Sequence, residues 1–267
     1  MRPATIVAHV GNVPGPPDGG GNSVSRRRLL AIAGGAGLAS IVAGCSADLT
    51  ANSTASPLPT RQPMATPAPT AMSSEVMLCR DAWGARPALP GGREHTIDRM
   101  TIHHSAVPLP DNRQIIARLQ QHQRFHQDDK GWVDIAYHAA VDRDGNVFAL
   151  RDTAIAGDTA TDYDTTGHFL ILCEGNFDDE TITEAQLDGA ALVCAWATRE
   201  FGIGVDTLAG HRDVARATSC PGTGLEAHLT SGDLTQRISD LIDTGFDLQP
   251  LCGPPADARV AGIEAGR

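Results

Sequence analysis

The stretch Arg99-Met100-Thr101-Ile102-His103 decides how this chain folds. Met100 and Ile102 alternate with Thr101, the period-two pattern of a strand that buries one face, and it runs into a pair of histidines. Side chains alternate along a strand, so His103 and His104 must point to opposite faces. Working outward, Asp111 can cap a helix that reaches to about Gln127, with Ile115, Ile116, Leu119 and Phe125 as its apolar stripe. Residues 137–142 and 147–151 flank Arg143-Asp144-Gly145-Asn146, an Asp-Gly turn of the kind that closes a β-hairpin. Residues 169–173 are apolar throughout, which predicts a central strand covered on both sides. Thr183-Glu184-Ala185-Gln186 fits a capping box opening a helix through Leu187, Ala190, Ala191, Cys194, Ala197 and Phe201, with Gly202 at its end. A last helix is expected near residues 233–242. Strands interspersed with amphipathic helices predict an α/β fold: a single domain, residues 76–245, with a central mixed β-sheet flanked by helices. Residues 246–267 are rich in Pro and Gly and read as a loose tail.

The amino-terminal part has a different texture. Ser25-Arg26-Arg27-Arg28-Leu29-Leu30 leads into an apolar stretch, residues 29–43, too short for a comfortable membrane span of about 20 residues. It reads as an export signal; the arginines followed by two leucines resemble a twin-arginine signal. Val42-Ala43-Gly44-Cys45 resembles a lipoprotein lipobox, which would make Cys45 the acylated residue after residues 1–44 are removed. A plain cleaved signal or a retained anchor helix are the other readings. Residues 45–75 are Ser, Thr, Pro and Ala with few large apolar side chains, so they read as an extended tether. The expected location is therefore outside the cytoplasm, on a membrane reached through lipidated Cys45. The full chain carries a formal charge of -11, and nothing outside its amino terminus forms a basic patch, which argues against nucleic acid as a partner.

Polar residues able to do chemistry concentrate in Thr101-Ile102-His103-His104-Ser105-Ala106, Gly131-Trp132-Val133-Asp134-Ile135-Ala136-Tyr137-His138, Gly210-His211-Arg212-Asp213 and Thr218-Ser219-Cys220-Pro221-Gly222. Together with Arg80-Asp81-Ala82-Trp83-Gly84-Ala85-Arg86-Pro87, and in this order, these segments resemble the peptidoglycan recognition protein and phage-type N-acetylmuramoyl-L-alanine amidase family over roughly residues 79–230. The resemblance implies Zn2+ held by His103, His211 and Cys220, catalytic Tyr137 and Thr218, and hydrolysis of the amide between N-acetylmuramic acid and L-alanine. It implies peptidoglycan as the partner, with His126, Trp132 and Arg151 facing substrate. Gly131-Trp132 and Arg151 match the version associated with diaminopimelate-type stems, where an arginine would pair with the extra carboxylate. A monomer is expected.

Chemistry supports the ligand choice separately. Three N or S ligands leave a fourth position open, as catalytic zinc requires, and two neutral imidazoles with one thiolate leave a net positive charge that acidifies water and polarises a carbonyl. The other readings are bland ones. Tyr137 is equally a strand tyrosine in the core, Thr218 a turn hydroxyl bonded to nearby backbone, and Arg151 a hairpin-end residue in solvent. His122 and His126 form a His-x-x-x-His pair on a helix, but Gln123 stands where a metalloprotease needs Glu, so His122 reads as a surface or packing residue. A non-catalytic peptidoglycan-binding module is the alternative function; such family members typically lack the cysteine.

Two departures from the family pattern stand out. His211 and Cys220 lie nine positions apart where eight is usual, and Asp158 follows Ala156-Gly157 where many relatives have histidine. Of the remaining cysteines, Cys173 and Cys194 read as core thiols that might otherwise pair, while Cys79 and Cys252 bracket the domain and could tie its ends.

Overall fold

In the computed structural model, which describes residues 74–267, the opening stretch becomes the second strand of a seven-stranded mixed sheet. The strands are β1 (Ser74–Leu78), β2 (Arg99–His104), β3 (Ala139–Val141), β4 (Val147–Ala149), β5 (His168–Cys173), β6 (Leu208–Gly210) and β7 (Asp247–Leu251), in the spatial order β6-β2-β5-β3-β4-β1-β7. Every pairing is parallel except the β3–β4 hairpin, built as expected around its Asp-Gly turn. One reversal in the middle therefore divides the sheet: β6, β2, β5 and β3 run one way, β4, β1 and β7 the other. The signal, Cys45 and nearly all of the tether lie outside the described residues.

Helices cover both faces. Met100 and Ile102 of β2 and Phe169 and Ile171 of β5 pack under α2 (Glu184–Phe201) and α5 (Asp233–Thr244), whose Leu187, Ala190, Ala191, Leu234 and Ile238 are buried. Leu172, Ala140 and Phe148 face the other way, onto α1 (Ile115–Arg124) and α6 (Pro254–Glu264). Completely burying one such Leu or Ile side chain is worth about 1.5–3 kcal/mol, so these two layers dominate stability. β5 is buried along its whole length, which is why residues 169–173 are apolar, while His168 at its start pairs with the Thr101 hydroxyl at 2.6 Å. Between β6 and α5 lie the short helices α3 (His211–Val214) and α4 (Thr223–Thr230).

Asp111 caps the first helical turn by accepting from Arg113 N, and the helix continues past α1 as a wider turn, Phe125–Asp129. Phe125 departs from the expected buried stripe: it is 47% exposed. Thr183 caps α2 through Gln186 N, but Gln186 does not reach back as a capping box would; its amide donates to Val141 O and Glu174 O, tying β3 to the end of β5.

The carboxyl-terminal reading needs correction. Residues 246–267 are not loose: β7 pairs with β1 in register from Ser74↔Asp247 to Leu78↔Leu251, and α6 packs against α1 with Ala256, Val260 and Ile263 buried. This register also moves the start of the domain to Ser74, inside the span read as tether. Composition misled because prolines sit where their missing N–H costs nothing. Pro250 is on an edge strand, and Pro254 and Pro255 form the first turn of α6. Cys79 and Cys252 form a disulfide across a 5.0 Å Cα separation, beside a Cys79 N–H···O Leu251 bond of 2.9 Å.

Candidate metal centre and groove

Register assembles the centre. β6 lies beside β2 with Ile102 opposite Gly210, so the next residue of each chain, His103 and His211, emerge side by side at the carboxyl ends of parallel strands. Crevices outside such strand ends are where open α/β sheets bind ligands. Gly210 N donates to Asp213 Oδ2 at 2.8 Å, which turns the chain sharply into α3. The loop after α3 then returns: Arg212 N donates to Cys220 O at 2.8 Å, and Cys220 N to Thr218 Oγ1 at 3.1 Å. Gly222, at φ 87°, has no room for a side chain, because a Cβ there would lie 2.8 Å from His104 Nδ1 and from the Phe177 carbonyl carbon.

The result is a three-donor cluster. One ligand atom each from His103, His211 and Cys220 lie within 4.8 Å of one another, all three residues buried. The imidazole rings of His103 and His211 are 4.5 Å apart, and Cys220 Sγ lies 3.7 Å from His103 Nδ1. His211 Nδ1 is buried with no hydrogen-bond partner, an orphaned lone-pair site of the kind a metal satisfies. Burial, and then the neighbouring histidines, hold His103 well below the ordinary histidine pKa; burial brings His211 down to about 4. Both rings are thus neutral and free to donate electron pairs. Burial also pushes the Cys220 thiol up to about 12, partly opposed by the His104 N–H aimed at Sγ from 3.4 Å. Only a cation would make a thiolate there favourable, and the donor set fits zinc.

The cluster lies along a groove of about 360 Å³ lined also by Tyr137, His126, Trp132, Thr218, Phe125 and Lys130. Tyr137 tilts against His103 at 5.2 Å, and burial, then nearby Cys220 and Glu174, raise its pKa, so its hydroxyl keeps its proton. Thr218 lines the groove, and its hydroxyl accepts from Cys220 N, as a turn hydroxyl would. His126 accepts from Ala136 N at 3.1 Å and stands 4.9 Å from the Trp132 ring. His104, on the opposite face of β2, accepts from Phe177 N instead of joining the cluster. A cleft of about 510 Å³ between β1, the hairpin turn, α2 and α5 is larger, but no histidine or cysteine lines it.

Two placements sharpen the sequence reading. Arg151 is buried at 4% exposure, not in solvent, and its guanidinium donates to Ile135 O, Ala156 O, Asp134 O and Asp158. Those bonds leave it little to offer a substrate carboxylate; it clamps the groove wall to Asp158. Of the two readings left open for His122, packing is the one seen, but against a charge: its Nε2 lies 2.8 Å from Glu174 Oε1, and that carboxylate is fully buried.

Sequence reasoning missed Glu174, Thr161 and Tyr163. Thr161 Oγ1 is 2.7 Å from His211 Nε2, and Tyr163 OH is 3.4 Å from His103 Nε2. Their segment has no periodicity, and its one signal was that Tyr163 is one of only two tyrosines in the chain.

An α/β domain carrying two histidines at adjacent strand ends and a cysteine on the loop beside them defines the class, and comparison with known proteins supplies the family. The family model for N-acetylmuramoyl-L-alanine amidase matches residues 93–223. Peptidoglycan-recognition protein SC2 of Drosophila melanogaster is 30% identical over 56% of this chain and 82% of its own length. Human N-acetylmuramoyl-L-alanine amidase is 33% identical over 55% of this chain, but the match spans only 26% of that protein. Among solved structures, a variant of Drosophila PGRP-LB in complex with tracheal cytotoxin superposes with a TM-score of 0.52 at 27% identity, covering 58% of this chain and 93% of that one. The chain belongs to the peptidoglycan recognition protein and N-acetylmuramoyl-L-alanine amidase family.

Proposed function

We propose that this protein is a zinc-dependent N-acetylmuramoyl-L-alanine amidase acting on peptidoglycan or its fragments. The observation that carries the reading is the convergence of His103, His211 and Cys220, with ligand atoms within 4.8 Å, beside the Tyr137 hydroxyl in an open groove. Amidase-named relatives support hydrolysis, and the complex of a relative with tracheal cytotoxin supports a muropeptide ligand.

When bound, zinc supplies a positive charge that acidifies water and polarises the lactyl carbonyl. The chain's own residues do the rest. Tyr137, kept protonated, donates a hydrogen bond to the oxygen on which negative charge develops as the carbonyl carbon becomes tetrahedral. Hydrolysis breaks the C–N bond, adds hydroxyl to the lactyl carbon and leaves a proton on the L-alanine amine. His126 and Trp132 form a wall against which the substrate is oriented, with exposed Phe125 at the rim. We propose further that Cys45 is lipidated after export, which would place this chemistry in the cell envelope; labelling with a fatty-acid probe, lost on Cys45→Ala, tests that.

Purified full chain incubated with sacculi should release free stem peptides, and a chelator should stop the release. No release by zinc-loaded protein, together with retained sacculus binding, would replace hydrolysis by recognition alone.

A further inference from the structure

We propose that Thr161 and Tyr163 are positioning residues for the metal, holding the rings of His211 and His103 by Nε2 so that each presents Nδ1 to the same point; this rests on the zinc reading above. Both belong to the segment joining β4 to β5, remote in sequence from every ligand.

The two rings present the same division of labour. His211 Nδ1 is buried and unpartnered, while its Nε2 lies 2.7 Å from Thr161 Oγ1. His103 Nδ1 faces Cys220 Sγ at 3.7 Å, while its Nε2 lies 3.4 Å from Tyr163 OH. A neutral imidazole has one N–H and one lone pair, so a ring that gives Nδ1 to a metal carries its hydrogen on Nε2. That hydrogen needs an acceptor, and each hydroxyl oxygen stands where one is required. The bookkeeping closes beyond the first bond: Thr161, accepting from His211, turns its own hydrogen to Thr159 Oγ1 at 2.8 Å, which also accepts from Thr161 N at 3.1 Å. Packing fixes the other side, with the Tyr163 ring 5.1 Å from His211 and 5.2 Å from His168. The reverse tautomer would aim an N–H at the metal position; in the ligating form both hydroxyls accept the Nε2 hydrogens and fix the ring angles. Outer partners of metal-bound histidine act in this way, orienting the ring and raising its basicity.

The test is zinc affinity of the full chain, measured by chelator competition on metal-free protein, alongside thermal unfolding without metal. Thr161→Val keeps shape and removes the acceptor; Tyr163→Phe keeps the ring and removes the hydroxyl. Each should weaken zinc binding about 10–100-fold, with Thr161→Ser restoring most of it and metal-free unfolding unchanged. The cobalt-loaded variants should retain thiolate-to-metal absorption, showing that the ligands themselves are intact. Wild-type affinity in both variants overturns the proposal, as does an affinity loss matched by lost metal-free stability, which would assign the residues to loop folding. A wild-type chain that binds no zinc, or Cys220→Ala binding it as tightly as wild type, overturns the metal reading beneath instead.

Discussion

The two edges of the sheet are built for different purposes. At the β6–β2 edge, strand ends deliver His103 and His211 into a centre with Cys220, full of buried neutral imidazoles and an unpartnered nitrogen. At the β1–β7 edge there is no histidine at all: backbone ladder, apolar Leu248, a covering helix and the Cys79–Cys252 disulfide close the domain. The first edge tolerates unsatisfied chemistry because backbone pairing, apolar packing and the disulfide hold the second. Function and stability should therefore separate under mutation.

The sharpest break comes from Cys220→Ala, which on the proposed zinc mechanism should lower stem-peptide release by more than about 10³-fold, since the metal that would acidify water is lost. Tyr137→Phe should cost about 10²-fold in kcat, the loss of one oxyanion donor, with zinc content unchanged. Steady-state assays paired with metal analysis distinguish the two; loss of zinc in the tyrosine variant would show that the ring holds the centre together. At the other edge, replacing Cys79 and Cys252 by Ser should cost about 2–5 kcal/mol in urea unfolding while leaving turnover per folded molecule unchanged. If turnover falls as well, the edges are coupled and the contrast fails.

The gentlest effect is a titration. His138 is buried, donates to Ile155 O, and is held at about 3 by burial, so the folded state keeps it neutral while the unfolded chain protonates near 6.5. The unfolded state therefore binds more protons between those values, and stability is lost as pH falls through that window. From about pH 7.5 to about pH 6 the loss is about 0.8 kcal/mol for this one side chain. Urea midpoints of metal-free protein should show at least that slope, to which the neutral His103 and His211 add, equally in wild type and in the Cys79/Cys252 double variant, since no histidine lies on β1 or β7. A slope that vanishes with the disulfide would place the titrating groups elsewhere.

What was legible in the sequence followed from periodicity and from side chains that have few other uses. The alternation of Met100, Thr101 and Ile102, the apolar run of β5, and the Asp-Gly hairpin all report local geometry, and each stands where expected. His103, His211 and Cys220 were readable because the segments that carry them resemble the family's, and because their donor chemistry agrees with that resemblance. Residues 246–267 were not readable, because Pro and Gly mark both loose tails and well-placed edge strands, and only the partner β1 decides which. Arg151 shows the same difficulty at a single residue: a hairpin-end position is exposed or buried according to whether carbonyls such as Ile135 O and Asp134 O converge on it. Thr161 and Tyr163 left almost no local signature, since they act by meeting rings supplied by other strands.

The in-register pairing of β1 with β7 also has a mechanical consequence. A pull on the chain entering at Ser74, directed along the strand, loads the five paired positions from Ser74↔Asp247 to Leu78↔Leu251 together, in shear, instead of peeling them one by one. Past Leu78, the Cys79–Cys252 bond hands the remaining tension to the last strand and helix. The load path thus runs through the edge farthest from His103 and His211, and a pull at Ser74 leaves the centre unstretched.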